Sequence, residues 1–226
     1  MKNLLYLILI PFGLGSCISY TNVESARTLG PKKTKEHSIR VKTALMVVSK
    51  SSAELEGGYL VPEYVFNKKI KNNMDWGLRI GIDANIYGNI KYQFMGNFKS
   101  KVAMSIQPEI GVGFFPNDDI ILYNAPLNLS AQLPLMITYH FNDNAYFTTT
   151  PKIINMITPR GNYNLFSQST GFGFGERVKW NISYTFTHLN DKPEAAFYIH
   201  DSAHIFEIGM KFFFKNRNKI NAPSID

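Results

Sequence analysis

The stretch Leu127-Asn128-Leu129-Ser130-Ala131-Gln132-Leu133-Pro134-Leu135-Met136-Ile137-Thr138-Tyr139-His140-Phe141 decides the fold. Every odd position is apolar, while the even positions are Asn128, Ser130, Gln132, Pro134, Met136, Thr138 and His140. Side chains alternate between the two faces of a strand with a period of two, so the segment predicts one long, two-faced strand and not a helix. It outruns both the ~5 to 6 residues usual in a soluble sandwich and the ~9 to 11 that a tilted strand needs to cross a hydrocarbon layer.

The same period recurs on either side of it. Val102, Met104, Ile106, Pro108, Ile110, Val112 and Phe114 oppose Ala103, Ser105, Gln107, Glu109, Gly111 and Gly113. Trp76, Leu78, Ile80, Ile82, Ala84 and Ile86 oppose Asp75, Gly77, Arg79, Gly81, Asp83 and Asn85, and Val178, Trp180, Ile182, Tyr184 and Phe186 oppose Lys179, Asn181, Ser183, Thr185 and Thr187. Ten strands are predicted, at 36 to 49, 58 to 67, 74 to 86, 88 to 96, 100 to 114, 126 to 141, 145 to 157, 165 to 175, 177 to 189 and 203 to 214. Eight is the alternative count, with 58 to 67 and 145 to 157 the first to be lost. Tight turns at 71 to 73, 97 to 99, 142 to 144 and 176 to 177 alternate with links at 49 to 57, 87 to 88, 115 to 125, 158 to 164 and 190 to 202. That asymmetry belongs to outer-membrane barrels, whose short turns are periplasmic.

Backbone polar groups find no partner in hydrocarbon, so a sheet spans a membrane only if it closes and leaves no edge. The predicted fold class is therefore all-β, a transmembrane antiparallel up-and-down barrel with its apolar face outward. The inward face carries Arg40, Lys42, Glu63, Asp75, Arg79, Asp83, Lys91, Gln107, Glu109, Lys152, Lys179, Glu207 and Lys211. Burying these in a soluble barrel would be very costly unless all were paired. Gly77, Gly81, Gly111, Gly113, Gly171, Gly173 and Gly209 also point inward and leave hollows for long Arg and Lys side chains. A ten-stranded interior is little wider than one that side chains fill, so a plugged lumen is expected, with Glu207 meeting Lys42 or Arg40 across the closing seam. Tyr87, Tyr123, Tyr139, Trp76, Trp180 and Phe214 are expected in the interfacial girdles.

The start of the chain is different. Lys2, the apolar run Leu4 to Ile10 and Leu14-Gly15-Ser16-Cys17 have the layout of a secretory leader. The last four residues resemble the lipobox of bacterial lipoproteins, which implies cleavage before Cys17 and lipid on that cysteine. Cys17 is the only cysteine, so no internal disulfide or multi-cysteine zinc site is available. Residues 18 to 35 are polar and without period and are read as a tether, although Ser25-Ala26-Arg27-Thr28-Leu29-Gly30 resembles a segment that follows the lipobox in some barrel lipoproteins of Gram-negative bacteria. The expected organisation is a leader at 1 to 16, a lipidated tether at 17 to 35, a barrel at 36 to 214 and a basic periplasmic tail at 215 to 226.

The final strand resembles the assembly signal of outer-membrane barrels in Glu207, Gly209, Phe212 and Phe214, which implies recognition by the barrel-insertion machinery. The twelve residues after Phe214 depart from family members that end at the aromatic. An even strand count returns both termini to the periplasm, where lipid on Cys17 would enter the inner leaflet of the outer membrane. The 226 residues carry 24 basic and 17 acidic groups, and the charge of +7 falls to +6 without Lys2. Aromatics at 14% and charged residues at 18% exclude a disordered chain. Lys32, Lys33, Lys35, Lys215, Arg217 and Lys219 are placed against anionic headgroups. No motif for nucleic acid accompanies the charge.

Chemistry is sparse. His188, His200 and His204 fall at or in the last outward loop with Asp191, Glu194, Asp201 and Ser202, a set that could supply a base and nucleophile. It matches no known pattern, so no catalytic, cofactor or metal residues are assigned and a non-enzymatic role is expected: structural, adhesive, or binding a small or lipidic ligand. A lipid-modifying or hydrolytic enzyme built on the three histidines is one alternative. A lipid-tethered, lipocalin-like soluble barrel is the other, and it requires the apolar faces to turn inward. His140 is read as an inward hydrogen-bond partner, and Gly171-Phe172-Gly173-Phe174-Gly175 as small-inside, aromatic-outside packing, since no helix follows it.

Overall fold

The computed structural model describes residues 24–31, 33–49, 53–81, 85–114, 127–158, 161–190 and 202–214. The leader, Cys17, Lys32, Asp83, Tyr123, His200 and the tail from 215 lie outside the described residues. The strands are β1 (Lys35–Ser49), β2 (Ala53–Lys71), β3 (Met74–Gly81), β4 (Ile86–Met95), β5 (Val102–Ile106), β6 (Glu109–Phe114), β7 (Leu127–His140), β8 (Ala145–Thr158), β9 (Gly161–Phe174), β10 (Val178–Leu189) and β11 (Ser202–Phe213). Every pairing is antiparallel, and β1 closes on β11 from Ser38↔Phe213 to Ser49↔Ser202.

Strands β5 and β6 are two halves of one crossing. They hold the same register on β4, with Tyr92↔Ile106 and Asn89↔Glu109, and on β7, with Val102↔Tyr139 and Glu109↔Gln132. The break falls at Pro108, which has no N–H to give the ladder. Its carbonyl still accepts from Ile90 N at 3.1 Å, and Gln107 N donates to Pro134 O at 3.1 Å. Counted this way, the sheet is a closed barrel of ten crossings, the larger of the two predicted counts.

Two expected boundaries move. The hairpin between β3 and β4 reverses between Gly81 and Asn85, where Gly81 N donates to Asn85 O at 2.9 Å, and not at Tyr87-Gly88. Tyr87 is consequently an inward side chain of β4, 3% exposed, and belongs to no girdle. Strand β2 extends well beyond the predicted 58 to 67 at both ends. The tight turns share one end of the barrel. There Gly96 (φ 78°) and Gly175 (φ 109°) take backbone conformations that side-chain-bearing residues resist, and Asn144 N donates to Asn142 Oδ1 at 2.8 Å in an Asx turn.

The barrel is inside out. Ile110 is 72% exposed and Ile153 60%, whereas Arg40 is 3% exposed and Lys152 2%. The apolar faces that a lipocalin-like barrel would turn inward face outward. Trp76, Tyr92, Phe94, Tyr139, Phe141, Phe172, Phe174, Trp180, Phe212 and Phe214 form an exposed aromatic band at the tight-turn end, with edge contacts such as Phe66 to Trp76 at 5.1 Å.

Candidate functional site

The lumen holds the chemistry-bearing residues, and the strand period puts them there. Glu63 of β2 accepts from both Arg40 and Lys42 of β1 at 3.5 Å. Arg79 of β3 pairs with Glu109 of β6 at 2.8 Å and stacks over the Tyr87 ring at 4.7 Å. Gln107 Nε2 donates to Glu109 Oε1 at 2.6 Å. Lys152 of β8 reaches Gln132 Oε1 at 3.5 Å. Glu207 sits opposite Ala44, and Lys42 opposite Gly209, so the two are diagonal neighbours across the closing seam and the charge of Glu207 acts on Lys42. Lys179 lies over the rings of Tyr146 and Phe213 at 5.5 and 5.9 Å, and Lys211 pairs with Glu36 at 3.1 Å.

The hollows over the inward glycines are filled mainly by tyrosine and asparagine, not by lysine and arginine. A side chain on Gly111 would meet the ring of Tyr87, its cross-strand partner, and one on Gly173 would meet the ring of Tyr146, likewise its partner. Asn67 and Asn89 flank Gly77 in the same way. Lys42 alone behaves as expected, its Cγ 3.5 Å from the position of a Cβ on Gly209.

The main departure concerns the expected tether. Its residues 24–31 are seated in the tight-turn mouth of the barrel, and its last residue, Lys35, opens β1. Ala26 is fully buried against Ala103 and Met136, and its N–H donates to Thr138 Oγ1 at 2.9 Å. Thr28 N donates to Gln93 Oε1 at 3.1 Å and Leu29 N to Asp75 Oδ2 at 2.7 Å. The extended segment thus gives its backbone donors to inward side chains of β7, β4 and β3, which meets the demand that buried N–H groups be paired. Ser25 Oγ lies 3.1 Å from His140 Nε2. Glu24 is bonded by Arg40 and lies 3.6 Å from Lys91 and 3.8 Å from Lys211. Arg27 clamps the rim, donating to Ser100 O at 2.7 Å and pairing with Asp143 at 3.4 Å. Beside this plug is a polar cavity of about 410 Å³, lined among others by Glu24, Arg40, Lys91, Tyr146 and Lys179. Polarity of that kind suits water.

Of the histidine set, His188 and His204 are among the described residues, and both lie on the outer wall against the Phe186 ring. His188 points outward, stacked on Phe186 at 6.4 Å. His204, also on the outer wall, has its Nδ1 2.7 Å from the Tyr184 hydroxyl. No group of His, Cys, Asp and Glu among the described residues is arranged to hold a metal. In the final strand, Glu207 and Gly209 face the lumen while Phe212 and Phe214 are exposed on the aromatic band.

These features define a class: a closed antiparallel barrel of ten crossings with an apolar wall, an ion-paired lumen and a plug formed by its own N-terminal segment. No family model matches the chain, and no curated protein is similar to it. Among solved structures it is similar to the outer membrane protease OmpT of Escherichia coli, at 11% identity and a TM-score of 0.43 over 84% of this chain and 100% of that one. It is also similar to Ail, the attachment invasion locus protein of Yersinia pestis, at 10% identity and 0.35 over 80% and 100%. A third is the translocator domain of the autotransporter NalP of Neisseria meningitidis, at 9% identity and 0.41 over 94% and 95%.

Proposed function

We propose that the chain is a lipid-anchored outer-membrane barrel with a closed lumen and a non-enzymatic role, structural, adhesive or in binding a small or lipidic ligand through its outward loops. The observation that carries this reading is the pairing of an apolar outer wall with a lumen whose charges are matched to each other and to residues 24–31. A wall of exposed Ile, Leu and Phe needs lipid, and a ring of buried Arg, Lys and Glu needs a closed, polar interior. Lipid on Cys17, both termini in the periplasm, and handling by the lipoprotein-processing and barrel-insertion machineries complete the proposal. Two or three acyl chains, at ~0.8 kcal/mol per buried CH₂, would hold the N-terminus beside the mouth that its own residues fill.

Planar-bilayer recording of the purified protein tests the closed lumen. The wild type is expected to give no stable large conductance, and a persistent open channel would overturn the reading.

A further inference from the structure

The outward wall is apolar along much of several seams. Across β10 and β11 it pairs Trp180 with Met210, Ile182 with Ile208 and Tyr184 with Phe206. Across β3 and β4 it pairs Trp76 with Ile90 and Ile80 with Ile86. The seam between β8 and β9 is different, with Thr149 opposite Thr170, Pro151 opposite Gln168, and Asn155 opposite Asn164. These side chains touch: Thr149 Oγ1 is 3.1 Å from Thr170 Oγ1, Gln168 Nε2 donates to Thr149 Oγ1, and Asn155 Nδ2 donates to Asn164 Oδ1 at 2.6 Å. Gln168 lies midway along β9, inward of both strand ends.

Among the described residues, the carbonyl oxygen of Gln168 and its second amide hydrogen have no partner. Lipid tails offer neither donor nor acceptor, so such a group facing hydrocarbon is costly. A second irregularity lies at the same level. The β7–β8 ladder runs to Pro134↔Lys152 and resumes only at Ile137↔Thr149, so rungs are missing beside Pro151. Thr149, Pro151, Gln168 and Thr170 are half-buried between the exposed Ile153, Phe166 and Phe172.

We infer that this face of β8 and β9 is the contact surface for a second copy of the chain, paired through Gln168 about a two-fold axis. A carboxamide is self-complementary: the free N–H of each copy donates to Oε1 of the other, which gives a reciprocal pair of bonds. A two-fold interface repeats one patch on both subunits, so a residue on its axis meets itself. The inference rests on the membrane-spanning reading above.

Cross-linking through an added cysteine in membranes tests it, with full-length protein carrying Thr170→Cys on the seam or Ile90→Cys on a distant wall, and with wild type, whose one cysteine is Cys17, as background. Heat-modifiability on gels confirms that each variant is folded, and Phe166→Cys replaces Thr170→Cys if that variant is not. The seam cysteine is expected to give a disulfide dimer well above both the wild type and Ile90→Cys. Adding Gln168→Leu, which removes a polar group from the lipid face and should leave the barrel folded, is expected to weaken self-association roughly three- to tenfold. Equal yields at the two walls, a seam yield at the wild-type level, or a yield unchanged by Gln168→Leu overturns the inference. Wild-type protein that carbonate strips from the membrane would instead overturn the spanning reading on which it rests.

Discussion

Toward the tight turns the lumen is lined by Arg40, Asp75, Lys91, His140 and Lys211 and filled by residues 24–31, whereas toward the long connections β8, β9 and β10 turn inward an apolar cluster of Ile154, Met156, Tyr163, Leu165 and Leu189, beside the uncharged polar Asn128, Ser130 and Thr187. One barrel is therefore sealed in two ways. The charged half depends on each ion keeping its partner, because a buried charge left alone is far more costly than a buried pair is stabilising. In the other half the apolar cluster packs as a soluble core does, and its cohesion is spread over many small contacts.

The two halves should respond differently to truncation, as read by denaturant unfolding in detergent micelles. Glu63→Ala removes the carboxylate that Arg40 and Lys42 share, leaving Glu24 beside Arg40 and Glu207 diagonal to Lys42, and is expected to lower stability by about 3–5 kcal/mol, the largest effect. Met156→Ala, in the apolar cluster, leaves a cavity and should cost about 2–4 kcal/mol. An equal or larger loss at Met156 would erase the distinction. Gly173→Ala drives a methyl into the Tyr146 ring and is expected to cost about 1–3 kcal/mol, which Tyr146→Phe would not relieve, because the clash is with the ring. At the rim, Asp143 is 82% exposed beside Arg27, so Asp143→Ala should cost only about 0.2–1 kcal/mol and less in high salt.

The sequence made the wall legible because alternation is written into every strand; the inward Arg40, Lys42, Glu63, Arg79, Glu109, Lys152, Glu207 and Lys211 follow from the period alone. The hairpin between Gly81 and Asn85 stayed hidden because Ile80, Ile82, Ala84 and Ile86 keep the alternation running in the sequence. Pro108 broke the ladder without breaking the register, so the crossing it interrupts was still legible as one strand. The plug could not be read from periodicity, since Ser25 to Gly30 gives its N–H groups to side chains and joins no sheet. Its one visible sign was the short resemblance of that hexapeptide to other lipoprotein sequences. The fit of Tyr87 over Gly111 and of Tyr146 over Gly173 depends on pairing register, which alternation within one strand does not encode.

Whether the barrel itself crosses the membrane is decided by fractionating cells that express wild type or Cys17→Ala, followed by carbonate extraction and heat-modifiability gels. The structure predicts that Cys17→Ala stays in the outer-membrane fraction, resists carbonate and shifts on heating. Release of Cys17→Ala as a soluble protein would contradict it and leave lipid as the only anchor.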